Sequence, residues 1–239
     1  MTLPLQFINV SKSFNDKKVL DGVNFSVSSE EIFGFIGLNG VGKTTLIKIT
    51  LDLLDQSDGE VKIFGKSRIL PESRQKVCYL PEKFSPPSEL EGQEFIKFVL
   101  SFYHKKYDSF KAKELCDSLE LDFDILKTRV TKYSKGMTQK LGLIATFLSE
   151  SELIILDEPM SGLDPKARIA LKEQLIKYQK QDKTIFFSSH ILADMDEICN
   201  NIAVLNNKKI VYSGDVNGFK VKHNKNNLDQ AFLAEIGVC

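Results

Sequence analysis

Gly37-Leu38-Asn39-Gly40-Val41-Gly42-Lys43-Thr44-Thr45 fits the pattern G-x-x-x-x-G-K-[ST] through Gly37, Gly42, Lys43 and Thr44. The apolar run Glu31 to Leu38 precedes it and reads as a strand, while Thr44 to Leu54 carries Leu46, Ile47, Ile49 and Leu54 at helical spacing. A strand, a glycine loop and a helix in that order form a cradle for phosphate. Backbone N–H groups can turn inward around an anion only where Cβ atoms do not collide, so Gly37, Gly40 and Gly42 punctuate the loop, with Asn39, Val41 and Thr45 as its other lining positions. The following helix adds free N–H groups and the positive end of its dipole. Lys43 is then expected to bridge β- and γ-phosphate oxygens, and the Thr44 hydroxyl to bind Mg²⁺.

Outward from this loop, residues 5–9 and 23–27 read as short strands, and Ser57-Asp58-Gly59 turns the chain into a strand at Glu60 to Phe64. Leu153 to Asp157, Thr184 to Ser188 and Ile202 to Leu205 are further β-rich runs, and Lys166 to Tyr178 is helical between the first two. That alternation predicts a mostly parallel sheet covered by helices. The middle differs. From Glu91 to Glu150 the periodicity is helical: Phe95, Phe98, Val99 and Phe102 share a face, as do Leu115 and Leu119, and Leu141 to Leu148 is a further helix. The chain therefore divides into an α/β core, 1–83 and 151–239, and an inserted helical subdomain, 84–150.

Nucleotide chemistry needs a second metal ligand and a group that activates water. The apolar strand Leu153 to Leu156 delivers Asp157 and Glu158 at its carboxyl end, where α/β sheets bind ligands. Asp157 would hold Mg²⁺ through its waters, and Glu158 would be the general base; a solvated acid pair is the plain alternative.

The 239 residues are 42% hydrophobic, and 32 Lys plus Arg balance 32 Asp plus Glu, which leaves no basic arm for nucleic acid. Leu153 to Leu156, typical of the longer apolar runs, is far short of the ~20 residues a bilayer needs, so a cytoplasmic chain is expected. Cys78, Cys116, Cys199 and Cys239 are widely spaced without a CxxC pair and read as reduced thiols. His104 and His223 stand in no recognisable pattern and read as surface residues, as does the Lys/Asn-rich stretch Lys220 to Asn227.

With these residues in view, the chain resembles the nucleotide-binding subunits of ATP-binding cassette (ABC) transporters over nearly its whole length. The family's signature, usually LSGGQ, has its counterpart in Tyr133-Ser134-Lys135-Gly136-Met137; Ser134 and Gly136 are kept, whereas Lys135 and Met137 depart in the manner of exporter-type variants. Ser134 can cap a helix from about Gly136 to Ser149, which makes the signature a second anion site. A helix of that length spans about 21 Å, so the signature is not expected to reach its own γ-phosphate; the resemblance implies a head-to-tail dimer in which it acts on the nucleotide of a second copy. Ser161-Gly162-Leu163-Asp164-Pro165 matches the D-loop that crosses such an interface, and His190 matches the switch histidine that contacts the γ-phosphate. Phe14 holds the position where an aromatic ring stacks on adenine, although with 17 phenylalanines in the chain a core role is the alternative.

Tyr79-Leu80-Pro81-Glu82 places Glu82 where the family has Gln; a carboxylate there can still reach Mg²⁺ or the attacking water. The resemblance implies a P-loop NTPase (RecA-like) α/β core with a small antiparallel amino-terminal β part, ATP and Mg²⁺ as cofactors, and a separate integral membrane permease as partner. It would sit peripherally at the inner face of the membrane, coupled to the permease through Glu82 and the proline-containing stretch Lys83 to Leu90. A soluble cassette ATPase acting on nucleic acid or ribosomes is the competing expectation. A GTPase is disfavoured because Asn206-Asn207-Lys208-Lys209 lacks the acid of a guanine-reading N-K-x-D.

Overall fold

A computed structural model describes residues 2–237. In chain order its elements are β1 (Leu5–Phe14), β2 (Lys17–Val27), β3 (Ile32–Ile36), α1 (Lys43–Thr50), β4 (Asp58–Ile63), β5 (Lys66–Ser67), α2 (Pro71–Arg74), β6 (Val77–Leu80), α3 (Gly92–Phe102), α4 (Ser109–Ser118), α5 (Lys135–Leu148) and β7 (Leu153–Asp157). The remainder is α6 (Pro165–Gln179), β8 (Thr184–Ser189), α7 (Leu192–Ile198), β9 (Asn201–Asn206), β10 (Lys209–Asp215), α8 (Val216–Lys222) and α9 (Leu228–Glu235). Two sheets organise them. One is antiparallel, ordered β2-β1-β4-β5; the other is ordered β10-β9-β3-β8-β7-β6 and is parallel except for its edge strand β10. The chain is thus α/β with a mostly parallel sheet and a smaller antiparallel β part, as its pattern predicts.

The parallel strands are apolar on both faces because each face meets a different core. Successive side chains alternate sides, so Phe33, Phe35, Leu153, Ile155 and Phe186 turn toward the antiparallel sheet and α1, whereas Ile36, Ile154, Leu156, Ile185 and Phe187 turn toward α3, α5, α6 and α7. Phe186 lies 5.6 Å from Phe35 and 5.9 Å from Phe33, and 6.3 Å from both Phe7 and Phe25, ring centroid to centroid. This aromatic cluster ties the two sheets together. Phe186→Ala should cost about 3–5 kcal/mol, because a buried ring is replaced by a cavity its four neighbours cannot close; urea unfolding measures it, and a loss below about 1 kcal/mol would mean the sheets are held otherwise.

The structure refines one expectation and corrects two. First, α3 buries Phe95, Ile96 and Leu100, while Phe98 and Phe102 are 51% and 66% exposed and pack edge-to-face on each other at 5.0 Å. Opposite a polar stripe of Gln93, Glu94, Lys97 and Ser101, the apolar residues fill more than half of the helix surface, so periodicity alone could not choose which part of that wide arc turns inward. Second, the first helix stops at Thr50, not Leu54. Asp52 adopts a left-handed φ of 61°, Leu53 N–H donates to the Lys48 carbonyl at 2.9 Å, and the Asp52 carboxylate meets the buried Arg68 guanidinium at 2.6 Å. Third, His223 is not a free surface residue: its side chain is 14% exposed and its Nε2 lies 2.8 Å from Glu235 Oε2. His104 is exposed, Cys78 and Cys116 are buried, Cys199 is half-buried, and Cys239 falls outside the described residues.

Candidate functional site

The glycine loop leaves the carboxyl end of β3 and enters α1 at Lys43. Gly42 adopts φ 121°, open essentially to glycine, and a Cβ there would press on Val19 and Leu20 at about 3 Å. A Cβ on Gly37 would lie 2.8 Å from the Leu205 carbonyl of the neighbouring β9, so the loop can close against the sheet only without a side chain. Lys43, 6% exposed, folds back over this turn: its Nζ donates to the Gly37 carbonyl at 2.6 Å and stands 3.4 Å from Glu158 Oε1.

Strand order brings the second half of the site alongside. β8 lies between β3 and β7 and pairs with both in parallel, so all three carboxyl ends open on one edge. Thr44 Oγ1 donates to Asp157 Oδ2 at 2.8 Å, and Ser188 Oγ donates to the other oxygen, Oδ1, at 2.5 Å. Ser188 sits opposite Asp157 in the register. Its role was missed in the sequence; the only signal was a hydroxyl at a strand end two residues before His190.

Glu158 is buried and takes a left-handed backbone, φ 53°. Its N–H donates to the Ser188 carbonyl at 3.1 Å, and its carboxylate lies between the Lys43 ammonium on Oε1 and the His190 imidazole, whose Nδ1 is 2.7 Å from Oε2. The His190 ring is half exposed, so Glu158 and His190 together span from the interior to solvent.

A cleft of about 400 Å³ opens here, bounded by Leu38 to Gly40, Gly42 to Thr45, Glu82, Glu158 and His190. Glu82 follows β6 and Pro81 and is exposed. Below it, burial raises the Tyr79 hydroxyl far above the usual phenol range, with the charges of Asp157 and Glu82 adding to the effect. Thr44 on the cleft wall and Asp157, buried directly behind its hydroxyl, offer hard oxygen donors, and among the described residues no group of three His, Cys, Asp or Glu side chains could hold a metal alone. Such a donor pair fits Mg²⁺, which takes its remaining ligands from phosphate and water.

The other predicted residues lie elsewhere. Phe14 ends β1, partly exposed, with the Lys12 ammonium 4.8 Å from its ring centre, and it does not bound the cleft. Ser134 caps α5 by accepting from Met137 N–H at 3.2 Å, and Lys135, Gly136 and Met137 form the first turn. This turn backs onto Ser161 to Asp164: a Cβ on Gly136 would sit 3.3 Å from the Gly162 carbonyl. Asp164 caps α6 through Ala167 N–H at 2.9 Å, which holds its carboxyl below the usual carboxylate range, and Leu163 is buried. A second cleft of about 390 Å³ separates Lys135 and Tyr133 from Glu82, and Glu82 alone borders both clefts.

The ABC transporter family model matches residues 20–161. The chain is 37% identical over 200 residues to an ABC transporter ATP-binding protein of Synechocystis sp., covering 82% of this chain and 56% of that protein. Against an ABC transporter ATP-binding protein of Nostoc sp. it is 37% identical over 206 residues, covering 84% and 62%. It therefore spans somewhat more than half the length of these two relatives. A solved structure of the ATP-binding subunit of an ABC transporter matches 99% of this chain and 100% of its own with a TM-score of 0.87 at 28% identity.

Proposed function

The chain belongs to the ABC transporter family, and on that footing we propose that it binds and hydrolyses ATP, in a head-to-tail pair, to drive a separate integral membrane permease. One observation carries the catalytic part: Lys43, Glu158 and His190 form a continuous chain of contacts beside the Thr44–Asp157–Ser188 hydrogen bonds, all at one cleft.

In this reading the loop from Gly37 to Thr45 wraps the phosphates, with the side-chain-free backbone of Gly40 and Gly42 making room for them. Lys43 exchanges the Gly37 carbonyl for phosphate oxygens, a stronger partner for an ammonium than a neutral carbonyl. Thr44 and Asp157, with Glu82 at the rim, would hold Mg²⁺, whose chemistry is to neutralise charge on the phosphates. Ser188 keeps the Asp157 carboxylate in one orientation. Glu158 takes the proton of the attacking water, and His190, on its outer oxygen, orients that carboxylate and reaches toward the γ-phosphate. Phe14 offers a π face to the base, which requires a ring and no polar group.

The signature residues Ser134, Lys135, Gly136 and Met137 act on the nucleotide of a second copy, with Ser161, Gly162, Leu163 and Asp164 lining the interface. Support for action in trans comes from Ser134 and Lys135, which are exposed at the start of α5 and lie off the walls of the chain's own phosphate cleft. Segment 84–150 is the subdomain that carries this surface, and Glu82 with Lys83 to Leu90 joins it to the permease at the inner, cytoplasmic face. Among the described residues no helix is long and apolar enough to cross a membrane.

Ser134→Arg tests the pairing. Its bulk should block the partner's phosphates, lowering turnover by about 100-fold or more while each chain still binds a fluorescent ATP analogue normally. Unimpaired turnover in a folded Ser134→Arg protein would rule out the trans arrangement.

A further inference from the structure

The turn after Glu158 is anchored from an unexpected direction. Pro159 cannot donate a hydrogen bond, and the carbonyls on either side of its own are engaged within the turn, Glu158 O by Ser161 N–H at 3.0 Å and Met160 O by Leu163 N–H at 3.3 Å. The Pro159 carbonyl is buried and accepts from the side-chain amide of Gln139, Nε2, at 3.1 Å. Gln139 is only 6% exposed and lies in α5, five residues past its signature cap Ser134. The same end of α5 meets this turn again where Gly136 abuts the Gly162 carbonyl.

Glu158 needs such support. A non-glycine residue at φ 53° persists only where its surroundings over-determine it. Ser188 fixes its N–H side and His190 and Lys43 fix its carboxylate, but the chain leaving Glu158 is held from outside the turn by Gln139. We infer that Gln139 is a positioning residue for Glu158, a strut that ties the signature end of α5 to the water-activating carboxylate of the same chain. The inference rests on ATP hydrolysis at this cleft. In a head-to-tail pair it gives the strut a second consequence: the helix end that grips the partner's nucleotide also sets the base serving the chain's own nucleotide.

The test is Gln139→Met in the full chain, a side chain of similar length and volume without an N–H. The expected result is a 10- to 100-fold fall in kcat at unchanged KM for ATP, the scale on which displaced catalytic groups lose rate. In the double variant Gln139→Met/Glu158→Gln, ATP-dependent dimer formation should equal that of Glu158→Gln alone, because the signature surface is intact. If the methionine variant does not fold, Gln139→Asn, whose amide is one methylene too short to reach Pro159, should show the same split. An unchanged kcat in a folded variant overturns the inference. So does a rise in KM with loss of the trapped dimer, which would mean that Gln139 serves the signature itself. Absence of ATP turnover in the wild-type chain would remove the hydrolysis reading, and the strut's purpose with it, and is distinguished by failing before any Gln139 variant is compared.

Discussion

Glu158→Gln should bind ATP as well as the wild type yet turn it over about 10²- to 10⁴-fold more slowly, the range spanned by loss of a positioned general base. The substitution keeps the shape of the side chain, so the left-handed backbone at 158 and the hydrogen bonds of its N–H to Ser188 are undisturbed. The carboxamide oxygen can still accept from His190 or Lys43. What is lost is basicity, at a carboxylate set 2.7 Å from His190 Nδ1 on the rim of the phosphate cleft. Because binding survives and hydrolysis does not, ATP with Mg²⁺ should hold the pair closed, and sedimentation should show a dimer that disperses when nucleotide is removed. Phosphate release measures the rate. Turnover at the wild-type level would free Glu158 from the role of base, and a protein that stays monomeric with saturating ATP and Mg²⁺ would refute the sandwich.

Lys43→Ala should act on the earlier step. The Lys43 ammonium is buried beside the Gly37 carbonyl and Glu158, so in the proposed reading it is held where phosphate oxygens would arrive and would shed little water on meeting them. Hydrogen bonds to charged groups contribute about 1.5–3 kcal/mol, so nucleotide affinity should fall roughly 10- to 100-fold. Titration with a fluorescent ATP analogue reads this directly, and a melting curve separates it from unfolding. An unchanged titration would mean that the glycine loop does not receive the phosphates. Taken together the two variants divide the cleft: one binds without reacting, the other reacts poorly because it does not bind.

Much of the site was legible because its halves are local. Gly37 to Thr45 carries its own strand, turn and helix signals, and Asp157-Glu158 sits at the end of an apolar run, so each could be read within about ten residues. Ser188 was not legible: its contact with Asp157 comes from strand register across 31 residues. Gln139 was hidden among helix-compatible residues, and nothing in the local pattern says that its amide meets the Pro159 carbonyl. Which part of α3 is buried was not legible for a related reason, since Phe98 and Phe102 satisfy the helical period as well as Ile96 and Leu100 do. The true end of α1 depended on Arg68, a buried cation supplied by a different strand–helix connection.

Residue order alone thus determined the class of the fold, the glycine loop and the acidic strand end, because periodicity, glycine and burial act over one or two turns of chain. Tertiary structure decided which groups meet: Thr44 with Asp157 across 113 residues, Glu158 with His190 across 32, and Gln139 of α5 with the turn after Glu158 across 20. The physical reason is strand order. Placing β8 between β3 and β7 brings three carboxyl ends to one edge, and that choice is made by the packing of whole sheet faces against one another, which no short window of sequence contains.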